Sequence, residues 1–230
     1  MPNDGPVILT GAASGIGRAA AEALARKSRA LALVDVNREM LEQVLANCRK
    51  DSPRVAAFLC DVTDNSAITR TCQQIRQDLG AAAALVNCAG VGRFAPFLDI
   101  EPAQWVHMFQ INVMGTVLFT RAVLPDMIAA RSGAIINVGS RMAIDPHPHT
   151  TAYAASKGAI LSFTKALAAE VSDHGIKVTF LAPGGTKTNI ATPKHPGYLD
   201  PSAIADAIVY ILETGNNVWV RDLVVLPLEP

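Results

Sequence analysis

The stretch "PVILTGAASGIG", from Pro6 to Gly17, decides the fold of this chain. It begins as a short apolar run, typical of a buried strand, and passes through glycines into a segment with helical spacing. Glycine permits positive φ and lets another group approach the backbone closely. The start of the following helix offers free N–H groups and a positive dipole end to an anion. The stretch therefore predicts a strand, a turn and a helix, in which the turn either binds a phosphate or is a plain connection.

The rest of the chain repeats this alternation of apolar strand and helix. Further strands are predicted at "ALALVD", "RVAAFLCD", "AALVNCAG", "GAIINVGS", "IKVTFLAPG" and "NVWVRDLVVLP". Helical spacing is found over 16–28, 38–50, 66–80, 102–130, 152–175 and 201–214, and Pro125 is expected to kink the fourth of these helices. The pattern predicts an α/β fold, a Rossmann-type doubly wound parallel sheet in three layers. Because no repeat or linker interrupts it, we expect residues 1–230 to form a single domain that includes the substrate pocket.

Composition excludes several classes of protein. Half of the residues are hydrophobic and 17% are charged, and 20 basic residues balance 20 acidic ones, so no charge excess favours nucleic acid. The start "MPNDGPVILTG" does not resemble a signal peptide, and no run of about 18 uninterrupted apolar residues predicts a membrane span. The four cysteines, at 48, 60, 72 and 88, lack a CxxC pairing. They are interpreted as reduced thiols of a cytoplasmic protein.

Acidic residues end the second and third predicted strands, where such sheets bind ligands. Asp35 lies about 20 residues after the glycines, the spacing of the acidic residue in a dinucleotide site. There it would accept hydrogen bonds from both adenosine ribose hydroxyls and repel a 2′-phosphate, which favours NAD over NADP, although Arg38 could partly offset the repulsion. Alternatively, Asp35 caps the next helix. Asp61, followed by Val62, either receives the adenine amino group or caps a helix.

The stretch "YAASK" places Tyr153 and Lys157 one helical turn apart, just after the fifth predicted strand. Tyrosine has an unperturbed pKa of about 10 and is a poor base at neutral pH unless a cation stabilises the phenolate. Ser140, at the end of that strand, precedes Tyr153 by thirteen residues. The three residues are either an exposed helix pair with an unrelated serine, or a group that holds a substrate oxygen and transfers its proton.

Together these motifs resemble the short-chain dehydrogenase/reductase family, in its compact single-domain branch. The resemblance rests on "TGAASGIG", "NCAG" at 87–90, Asn112, Ser140, "YAASK" and "PGGTKT" at 183–188. It extends from Val7 to about Thr188, and more loosely to the end of the chain. A Tyr-x-x-x-Lys pair, a serine thirteen residues earlier and the first glycine pattern form a highly specific combination.

The resemblance implies a role for each matching residue. Tyr153 would be the general acid/base, and Lys157 would lower its pKa and bind the nicotinamide ribose. Ser140 would orient the reacting oxygen, and Asn112 would help hold a water that links Lys157 to solvent. The implied cofactor-binding residues are Gly11, Ser14, Gly15, Ile16, Gly17, Asp35, Asp61, Val62, Asn87, Ala89, Gly90, Tyr153, Lys157, Pro183, Gly184, Thr186 and Thr188.

The implied activity is that of an NAD-dependent oxidoreductase that interconverts a secondary alcohol and a ketone, with Tyr153 as general acid/base. An NADPH-dependent carbonyl reductase and a non-catalytic NAD-binding sensor or scaffold are the alternatives. The partner would be a small alcohol or carbonyl compound, with no nucleic acid, membrane or metal involved. The resemblance, with the alanine-rich helical regions over 102–130 and 152–171, also implies a homo-oligomer, either a dimer or a tetramer.

The sequence departs from the family pattern at three places. The family usually has Asn-Asn-Ala-Gly where this chain has "NCAG", with Cys88 in place of the second asparagine. Thr186 stands where a branched apolar residue is common, and the last strand lacks the usual Asp-Gly-Gly ending. The first departure is expected to loosen a hydrogen bond within the sheet while leaving the other three motif residues in place.

Charged residues occur in the segments that the resemblance assigns to the substrate pocket. Arg93, Arg141 and Lys194 either bind a substrate carboxylate or are solvated loop charges. His147 and His149 lack a third ligand at metal spacing, so no zinc site is predicted.

Overall fold

The computed structural model describes residues 5–190, 195–215 and 217–228. Within these residues, seven strands form one sheet in the order β3-β2-β1-β4-β5-β6-β7, and every neighbouring pair is parallel. The strands are β1 (Val7–Thr10), β2 (Leu31–Asp35), β3 (Val55–Leu59), β4 (Ala84–Asn87), β5 (Gly133–Val138), β6 (Ile176–Pro183) and β7 (Asp222–Val225). The predicted doubly wound parallel sheet is confirmed.

Helices cover both faces of this sheet and complete three layers. They are α1 (Gly15–Arg26), α2 (Arg38–Cys48), α3 (Asn65–Leu79), α4 (Pro102–Phe109), α5 (Gly115–Ala130), α6 (Thr151–Val171) and α7 (Pro201–Glu213). Core residues of α1, α2 and α7 pack on one face of the sheet, and core residues of α3, α5 and α6 pack on the other.

The first strand shows why the strand sequences do not alternate between apolar and polar residues. Val7 and Leu9 pack into the core shared with α1, α2 and α7, whereas Ile8, between them, packs into the core on the opposite face. Successive side chains of a strand point to opposite faces of the sheet. A strand that is covered on both faces therefore needs apolar residues throughout.

The strand order reverses at β1, because β2 pairs with one side of β1 and β4 with the other. The register places Thr10 opposite Asn87, and Asn87 opposite Asn137, so the three strands end almost level. The chain consequently leaves β1, β4 and β5 at one edge of the sheet. This is the edge at which open α/β sheets bind ligands.

The helical region predicted over 102–130 contains an irregular turn that the sequence pattern did not reveal. Residues Gln110–Met114, between α4 and α5, form a π-helical turn. α5 itself continues through Pro125 to Ala130. The π-turn carries Asn112, whose side chain is only 1% exposed, towards the sheet edge. Such turns often lie at functional sites.

The last strand is shorter than predicted. The run over 217–227 predicts one strand, but only Asp222–Val225 forms it, beside β6. The preceding segment is attached to β6 by side chains instead. The indole N–H of Trp219, for example, donates to the carbonyl of Val178 at 3.0 Å. Side-chain hydrogen bonds therefore hold much of this segment, although the carbonyl of Arg221 accepts from the N–H of Phe180 at 3.0 Å.

One helical segment, Pro102–Ala130, is long and apolar enough to cross a membrane by length and composition, with a mean hydropathy of 1.4 over its best 18-residue window. The search for an uninterrupted apolar run in the sequence did not predict this segment as a candidate span. Within the fold, α5 packs against α3, β4 and β5, while 33% of that window is buried. The segment is therefore an outer-layer helix of the fold that keeps an apolar outward side.

Candidate active site

The glycine turn after β1 is shaped by its backbone. Gly11 and Gly15 have positive φ values of 67° and 52°, which glycine adopts without strain. A Cβ on Gly17 would lie 2.0 Å from the carbonyl oxygen of Gly11, and a Cβ on Gly11 would lie 2.8 Å from the Cα of Ala89. Side chains are therefore excluded from the places where β1, α1 and the chain after β4 meet.

The first turn of α1 is open to an anion. Ser14 occupies the N-cap position without a side-chain capping hydrogen bond, and Ile16 follows it in the first turn. Thr188, from the segment after β6, faces this turn, since a Cβ on Gly15 would lie 3.2 Å from its Cγ2. The first N–H groups of a helix lack acceptors within the helix. The N–H groups beside Ser14 and Thr188 could therefore donate to a phosphate group.

Asp35 ends β2, and two backbone amides fix its carboxylate. Oδ2 accepts from the N–H of Ala13 in the glycine turn, and Oδ1 accepts from the N–H of Asn37, both at 2.9 Å. Asn37 provides the side-chain cap of α2, so the interpretation of Asp35 as the helix cap is wrong. Arg38 lies 4.0 Å from Glu42 in an exposed ion pair. The carboxylate of Asp35 is therefore held beside the turn, where it can accept hydrogen bonds from ligand hydroxyls.

Asp61 and Val62 follow β3. Oδ1 of Asp61 accepts from both the N–H and the hydroxyl of Thr63 at 2.8 Å, whereas Asp64 caps α3. The alternative in which Asp61 caps that helix is therefore wrong, and Asp61 is exposed at the sheet edge. Val62 is buried against Gly115, so it offers a ligand only its backbone.

Asn87 ends β4, and its side chain lies inside the protein. Its Nδ2 donates to Oδ1 of Asn137 at 2.9 Å and to the hydroxyl of Thr120 at 3.3 Å, and Asn137 in turn donates to Thr164 at 2.9 Å. Oδ1 of Asn87 is buried and has no hydrogen-bond partner among the described residues. The side chain thus connects β4, β5, α5 and α6, and only the backbone of Asn87 can reach a ligand at the edge.

Thr10 holds the turn after β4. Its hydroxyl oxygen accepts from the N–H groups of Cys88 at 3.1 Å and Ala89 at 3.2 Å. Gly90 follows beside Lys157, since a Cβ there would lie 3.6 Å from Nζ of that lysine. Because Thr10 bonds the backbone of Cys88, the replacement of asparagine by cysteine leaves this turn in place.

The segment after β6 crosses the sheet edge towards the glycine turn. Pro183 ends β6, and the N–H of Gly184 donates to the carbonyl of Val225 at 2.8 Å. Thr186 is buried, and its hydroxyl donates to the carbonyl of Gly184 at 2.9 Å. Thr188 reaches α1. The four residues predicted from "PGGTKT" therefore form one continuous strip beside the site.

Ser140, Tyr153 and Lys157 meet at the same edge. Ser140 follows β5, and the other two lie one turn apart near the start of α6. All three are buried, with exposed fractions of 8%, 8% and 5%. The Ser140 hydroxyl lies beside the phenol. Nζ of Lys157 donates to the carbonyl of Val138 at 2.9 Å and lies 5.8 Å from the centre of the Tyr153 ring. The alternative of an exposed helix pair is therefore wrong.

Burial controls the protonation of both groups. It raises the pKa of Tyr153 to about 12, although the neighbouring Ser140 hydroxyl acts in the opposite direction. It also lowers the pKa of Lys157 to about 8. In each case a low-dielectric site favours the neutral form. Desolvation of the phenol is the largest cause of its raised pKa, and the role of Lys157 in lowering that pKa stays a prediction.

Asn112 forms a clamp between the β4 loop and α6. Its Oδ1 accepts from the N–H of Val91 at 2.8 Å, and its Nδ2 donates to the carbonyl of Val91 at 2.9 Å and to the hydroxyl of Ser156 at 3.0 Å. Ser156 donates to the carbonyl of Tyr153 at 2.8 Å. Both amide hydrogens of Asn112 are therefore used within the protein, and only its oxygens could hold the water that the resemblance implies.

The charged residues expected in the pocket differ in their surroundings. Arg141 lies 3.4 Å from Asp145 and hydrogen-bonds His147, so its own turn engages the guanidinium. Arg93 is exposed, and Lys194 lies outside the described residues. Among the residues that the structure describes, no group of three or more His, Cys, Asp or Glu side chains could hold a metal ion.

Several residues that hold the site together were not predicted. Thr10, Asn137 and Ser156 are small polar residues at buried positions of β1, β5 and α6. The available signal was a polar side chain inside an otherwise apolar element, because such a group is buried only with a hydrogen-bond partner. The partners themselves come from other elements, so the sequence did not identify them.

Comparison with known proteins agrees with this geometry. Residues 6–198 match the family model described as short chain dehydrogenase. The 2,3-dihydro-2,3-dihydroxybenzoate dehydrogenase of Bacillus subtilis (strain 168) is 37% identical over 182 residues, which cover 79% of this chain and 70% of that protein. An uncharacterized oxidoreductase of Staphylococcus aureus (strain MW2) is 31% identical over 224 residues, which cover 96% of each chain.

Solved structures with the same fold contain different nicotinamide cofactors. The 3-ketoacyl-(acyl-carrier-protein) reductase from Brucella melitensis complexed with NADH superimposes with a TM-score of 0.91 at 25% identity, over 98% of both chains. An alcohol dehydrogenase from Thermococcus sibiricus complexed with 5-hydroxy-NADP has a TM-score of 0.90 at 25% identity, over 96% of this chain and 95% of that one. These neighbours therefore support a nicotinamide dinucleotide without deciding between NAD and NADP.

Proposed function

The chain belongs to the short-chain dehydrogenase family, and we propose that it interconverts a secondary alcohol and a ketone, with NAD as its preferred cofactor. Membership makes it an oxidoreductase that uses a nicotinamide dinucleotide. The observation that carries the finer proposal is the buried contact between the Ser140 hydroxyl and the Tyr153 phenol, with Lys157 beside them, at the sheet edge that also holds the glycine turn.

Tyr153 is assigned as the group that moves the proton. The hydroxyls of Ser140 and Tyr153 lie together, so both can hydrogen-bond one substrate oxygen. A neutral phenol can donate its proton to the oxygen of a ketone, and a phenolate can accept the proton of an alcohol. Because burial raises the pKa of Tyr153 to about 12, donation is favoured at neutral pH. We expect alcohol oxidation to accelerate more than ketone reduction as the pH rises.

Lys157 is assigned as the ligand of the cofactor ribose and as the cation beside the phenol. One of its three N–H groups donates to Val138, which leaves two donors for hydroxyl groups. Since burial lowers the pKa of Lys157 to about 8, the ammonium form still predominates at pH 7. Its charge stabilises a phenolate when Tyr153 gives up its proton. The bound cofactor supplies the nicotinamide ring that gives or takes a hydride.

The preference for NAD is assigned to Asp35. Its two oxygens are fixed by amides and carry further lone pairs, which can accept hydrogen bonds from ribose hydroxyls. The same fixed negative charge would lie close to a 2′-phosphate and repel it. Arg38 belongs to a separate exposed pair with Glu42, so it does little to offset that repulsion. NADPH-dependent reduction remains the alternative that the cofactor experiment below addresses.

The remaining cofactor contacts follow the strip of residues along the sheet edge. The glycine turn, the start of α1 and Thr188 would bind the phosphates, and Asp61 with Val62 would lie near the adenine. The residues after β4 would contribute mainly through their backbone, and those after β6 would lie beside the nicotinamide. These assignments comprise Gly11, Ser14, Gly15, Ile16, Gly17, Asp61, Val62, Asn87, Ala89, Gly90, Pro183, Gly184, Thr186 and Thr188.

We further propose a single domain that forms a homo-oligomer and works in the cytoplasm. The sheet edge already joins the cofactor and proton-transfer residues, which supports one domain. The outward sides of α5 and α6 form an apolar groove of about 280 Å³ that includes Leu124, Ile128 and Phe163. A second copy of the chain would cover this groove. The four cysteines are free thiols, which supports a reducing compartment.

Replacement of Tyr153 by phenylalanine tests the catalytic proposal. NADH formation at 340 nm is measured with a panel of secondary alcohols, and cofactor binding is measured by calorimetry. Tyr153→Phe should lower kcat by a factor on the order of 10² to 10⁴ and leave NAD affinity nearly unchanged. Tyr210→Phe is the matched control, because Tyr210 is exposed on α7.

Three outcomes would contradict parts of this proposal. Equal turnover by wild type and Tyr153→Phe would remove Tyr153 from its role. NAD binding without turnover of any alcohol or ketone would favour the non-catalytic sensor. Tighter binding of NADPH than of NADH would favour the carbonyl reductase and contradict the assignment of Asp35.

A further inference from the structure

Beside the phenol of Tyr153, the structure carries an apolar wall that proton transfer does not require. We infer that this wall binds an uncharged secondary alcohol or ketone whose substituent next to the reacting carbon is apolar. The inference deepens the proposed function and rests on it. Relatives of this chain are named for different substrates, so the class of substrate has to be derived from the residues of this wall.

Tyr153 belongs to a small apolar cluster of its own. Neither of the two cores that pack on the sheet contains it. Instead, Ile100 and Met108 are buried with it, and Phe94, Met142 and Ile190 are partly exposed side chains packed against the same cluster. A partly exposed apolar side chain beside a buried reactive group presents carbon to whatever approaches that group. This cluster therefore forms the surroundings of the reacting oxygen.

Three side chains from separate parts of the chain converge at Gly92. A Cβ at this glycine would lie 2.7 Å from Cγ2 of Ile190, 3.3 Å from Cζ of Phe94 and 3.3 Å from Cδ2 of Tyr153. The ring of Phe94 meets that of Tyr153 edge to face, with centroids 5.2 Å apart. The absence of a side chain at Gly92 thus lets an aromatic and a branched aliphatic group meet directly beside the phenol.

Hydrogen bonds of the backbone attach the loops that carry part of the wall. The N–H of Ala95, next to Phe94, donates to the carbonyl of His149 at 3.0 Å. The N–H of Met142 donates to the hydroxyl oxygen of Ser140 at 3.1 Å. The loops that carry Phe94 and Met142 are therefore attached to the catalytic elements. A preformed apolar wall binds a matching group at little cost in ordering.

The charges of the neighbouring loops do not favour a carboxylate on this wall. The guanidinium of Arg141 is paired with Asp145 and hydrogen-bonded to His147, and its Nε, which has no partner among the described residues, is buried away from solvent. Arg93 is exposed and is not part of the apolar cluster. A carboxylate placed against Phe94 and Ile190 would lose hydration without gaining a fixed partner, which is unfavourable. An uncharged substituent would gain by burial of its apolar surface.

A pair of substrates that differ by one carboxylate tests the inference. Turnover of 1-phenylethanol and of 4-(1-hydroxyethyl)benzoate with NAD is compared at 340 nm. Binding of acetophenone and 4-acetylbenzoate to the NAD complex of Tyr153→Phe is measured by calorimetry. We expect kcat/KM and affinity to be at least tenfold higher for the uncharged member of each pair.

Two side-chain truncations test whether the apolar wall causes the preference for the uncharged substrate. Phe94→Ala and Ile190→Ala should each lower kcat/KM for 1-phenylethanol about tenfold, mainly through KM, and change that for the carboxylated alcohol by less than threefold. Leu98→Ala is the matched control, because Leu98 lies in the same loop as Phe94 but is 89% exposed and outside the apolar cluster. It should leave both values unchanged.

The outcomes separate this inference from the proposed function. Tighter binding of acetophenone without turnover of either alcohol would support the apolar wall and contradict the catalytic proposal. An equal or higher kcat/KM for the carboxylated alcohol would overturn the inference without contradicting the proposed dehydrogenase activity. Loss of that activity on the carboxylated alcohol in Arg93→Gln would identify Arg93 as the carboxylate ligand. Absence of binding by both ketones would also overturn the inference.

Discussion

The glycine turn and the proton-transfer cluster lie at the same edge of the sheet but are built in different ways. The glycine turn presents backbone amides and excludes side chains, since a Cβ on Gly17 would lie 2.0 Å from a carbonyl oxygen. The proton-transfer cluster presents the functional groups of Ser140, Tyr153 and Lys157, all of them buried. The glycine turn depends on the absence of side chains, whereas the proton-transfer cluster depends on the hydroxyl and amino groups of its side chains.

This difference determines how each region can fail. Adding a single carbon atom should disrupt the glycine turn, because the atoms around it belong to the backbone and only a shift of the backbone can relieve the overlap. Removing a single polar atom should disable the cluster, because its chemistry resides in side-chain hydroxyl and amino groups. The two regions also differ electrostatically. The carboxyl group of Asp35 lies at a partly exposed edge, whereas Tyr153 and Lys157 are buried, and burial shifts their pKa values in the direction that favours the neutral forms.

The largest effect is expected from Gly17→Ala. The added Cβ would overlap the carbonyl of Gly11, so α1 has to move away from β1. We expect a loss of about 3 kcal/mol or more in the free energy of unfolding, together with a large loss of cofactor affinity. Denaturant unfolding and calorimetric titration with NADH measure the two effects.

Gly158→Ala is the control for that substitution. Gly158 lies within α6, and a Cβ there would meet no heavy atom within 4 Å. Alanine is about 1 kcal/mol more favourable than glycine inside a helix, so this variant should be more stable than wild type. If Gly17→Ala were as stable as Gly158→Ala, the close packing described for the glycine turn would be wrong.

The second largest effect is expected in the pH dependence of stability, when wild type is compared with Lys157→Met. Burial lowers the pKa of Lys157 from 10.5 in the unfolded chain to about 8 in the folded protein. Below pH 8 the lysine is protonated in both states, so the full desolvation penalty is present. Between pH 8 and 10.5 the unfolded chain binds more protons, so the stability contributed by this site rises with pH. Methionine removes this dependence.

We therefore expect the stability of wild type relative to Lys157→Met to rise by about 2 kcal/mol between pH 7 and pH 9.5. The raised pKa of Tyr153 acts in both proteins and largely cancels in the difference. Chemical denaturation of both proteins across this pH range measures it. A difference that stayed constant with pH would show that Lys157 is not desolvated as the geometry implies. Lys157→Met should also lose most of its turnover.

The smallest effect is expected from Asp35→Ser. Serine is shorter and uncharged, so it removes the repulsion of a 2′-phosphate and part of the hydrogen bonding to the glycine turn. The ratio of NADH to NADPH affinity should fall about tenfold, which corresponds to about 1.4 kcal/mol. Titration of both cofactors into wild type and variant measures this ratio. The control is Glu170→Ser, because Glu170 is an exposed acidic residue on α6. An unchanged ratio would contradict the role of Asp35.

Much of the sheet could be predicted because the residues that form each strand and the glycine turn are close together in the sequence. β1 and its neighbours are apolar throughout since both faces are covered, and the glycine turn is recognisable because its residues are consecutive. The π-turn at Gln110–Met114 was missed because helical spacing looks the same on either side of it. The start of β7 was misplaced because Trp219 bonds β6 through its side chain, which an apolar pattern does not reveal.

The candidate site was predicted only in part. The motif residues are brought to one edge, yet Asn87 directs its side chain into the interior and Asn112 uses its amide hydrogens within the protein. The direction of a side chain depends on which face of its element is covered and by what. Those covering groups, such as Thr120 and Ser156, come from elsewhere in the chain.

The sequence by itself determined the order of strands and helices, the glycine turn and the candidate proton-transfer residues, because each depends on residues close together along the chain. Only the tertiary structure decided that the pKa of Tyr153 is raised to about 12 and that the pKa of Lys157 is lowered to about 8. It also decided that an apolar wall lies beside Tyr153. Burial is the physical reason. It removes water from these groups only when β4, β5, α4 and α6 come together, and distant parts of the chain meet only in the folded protein.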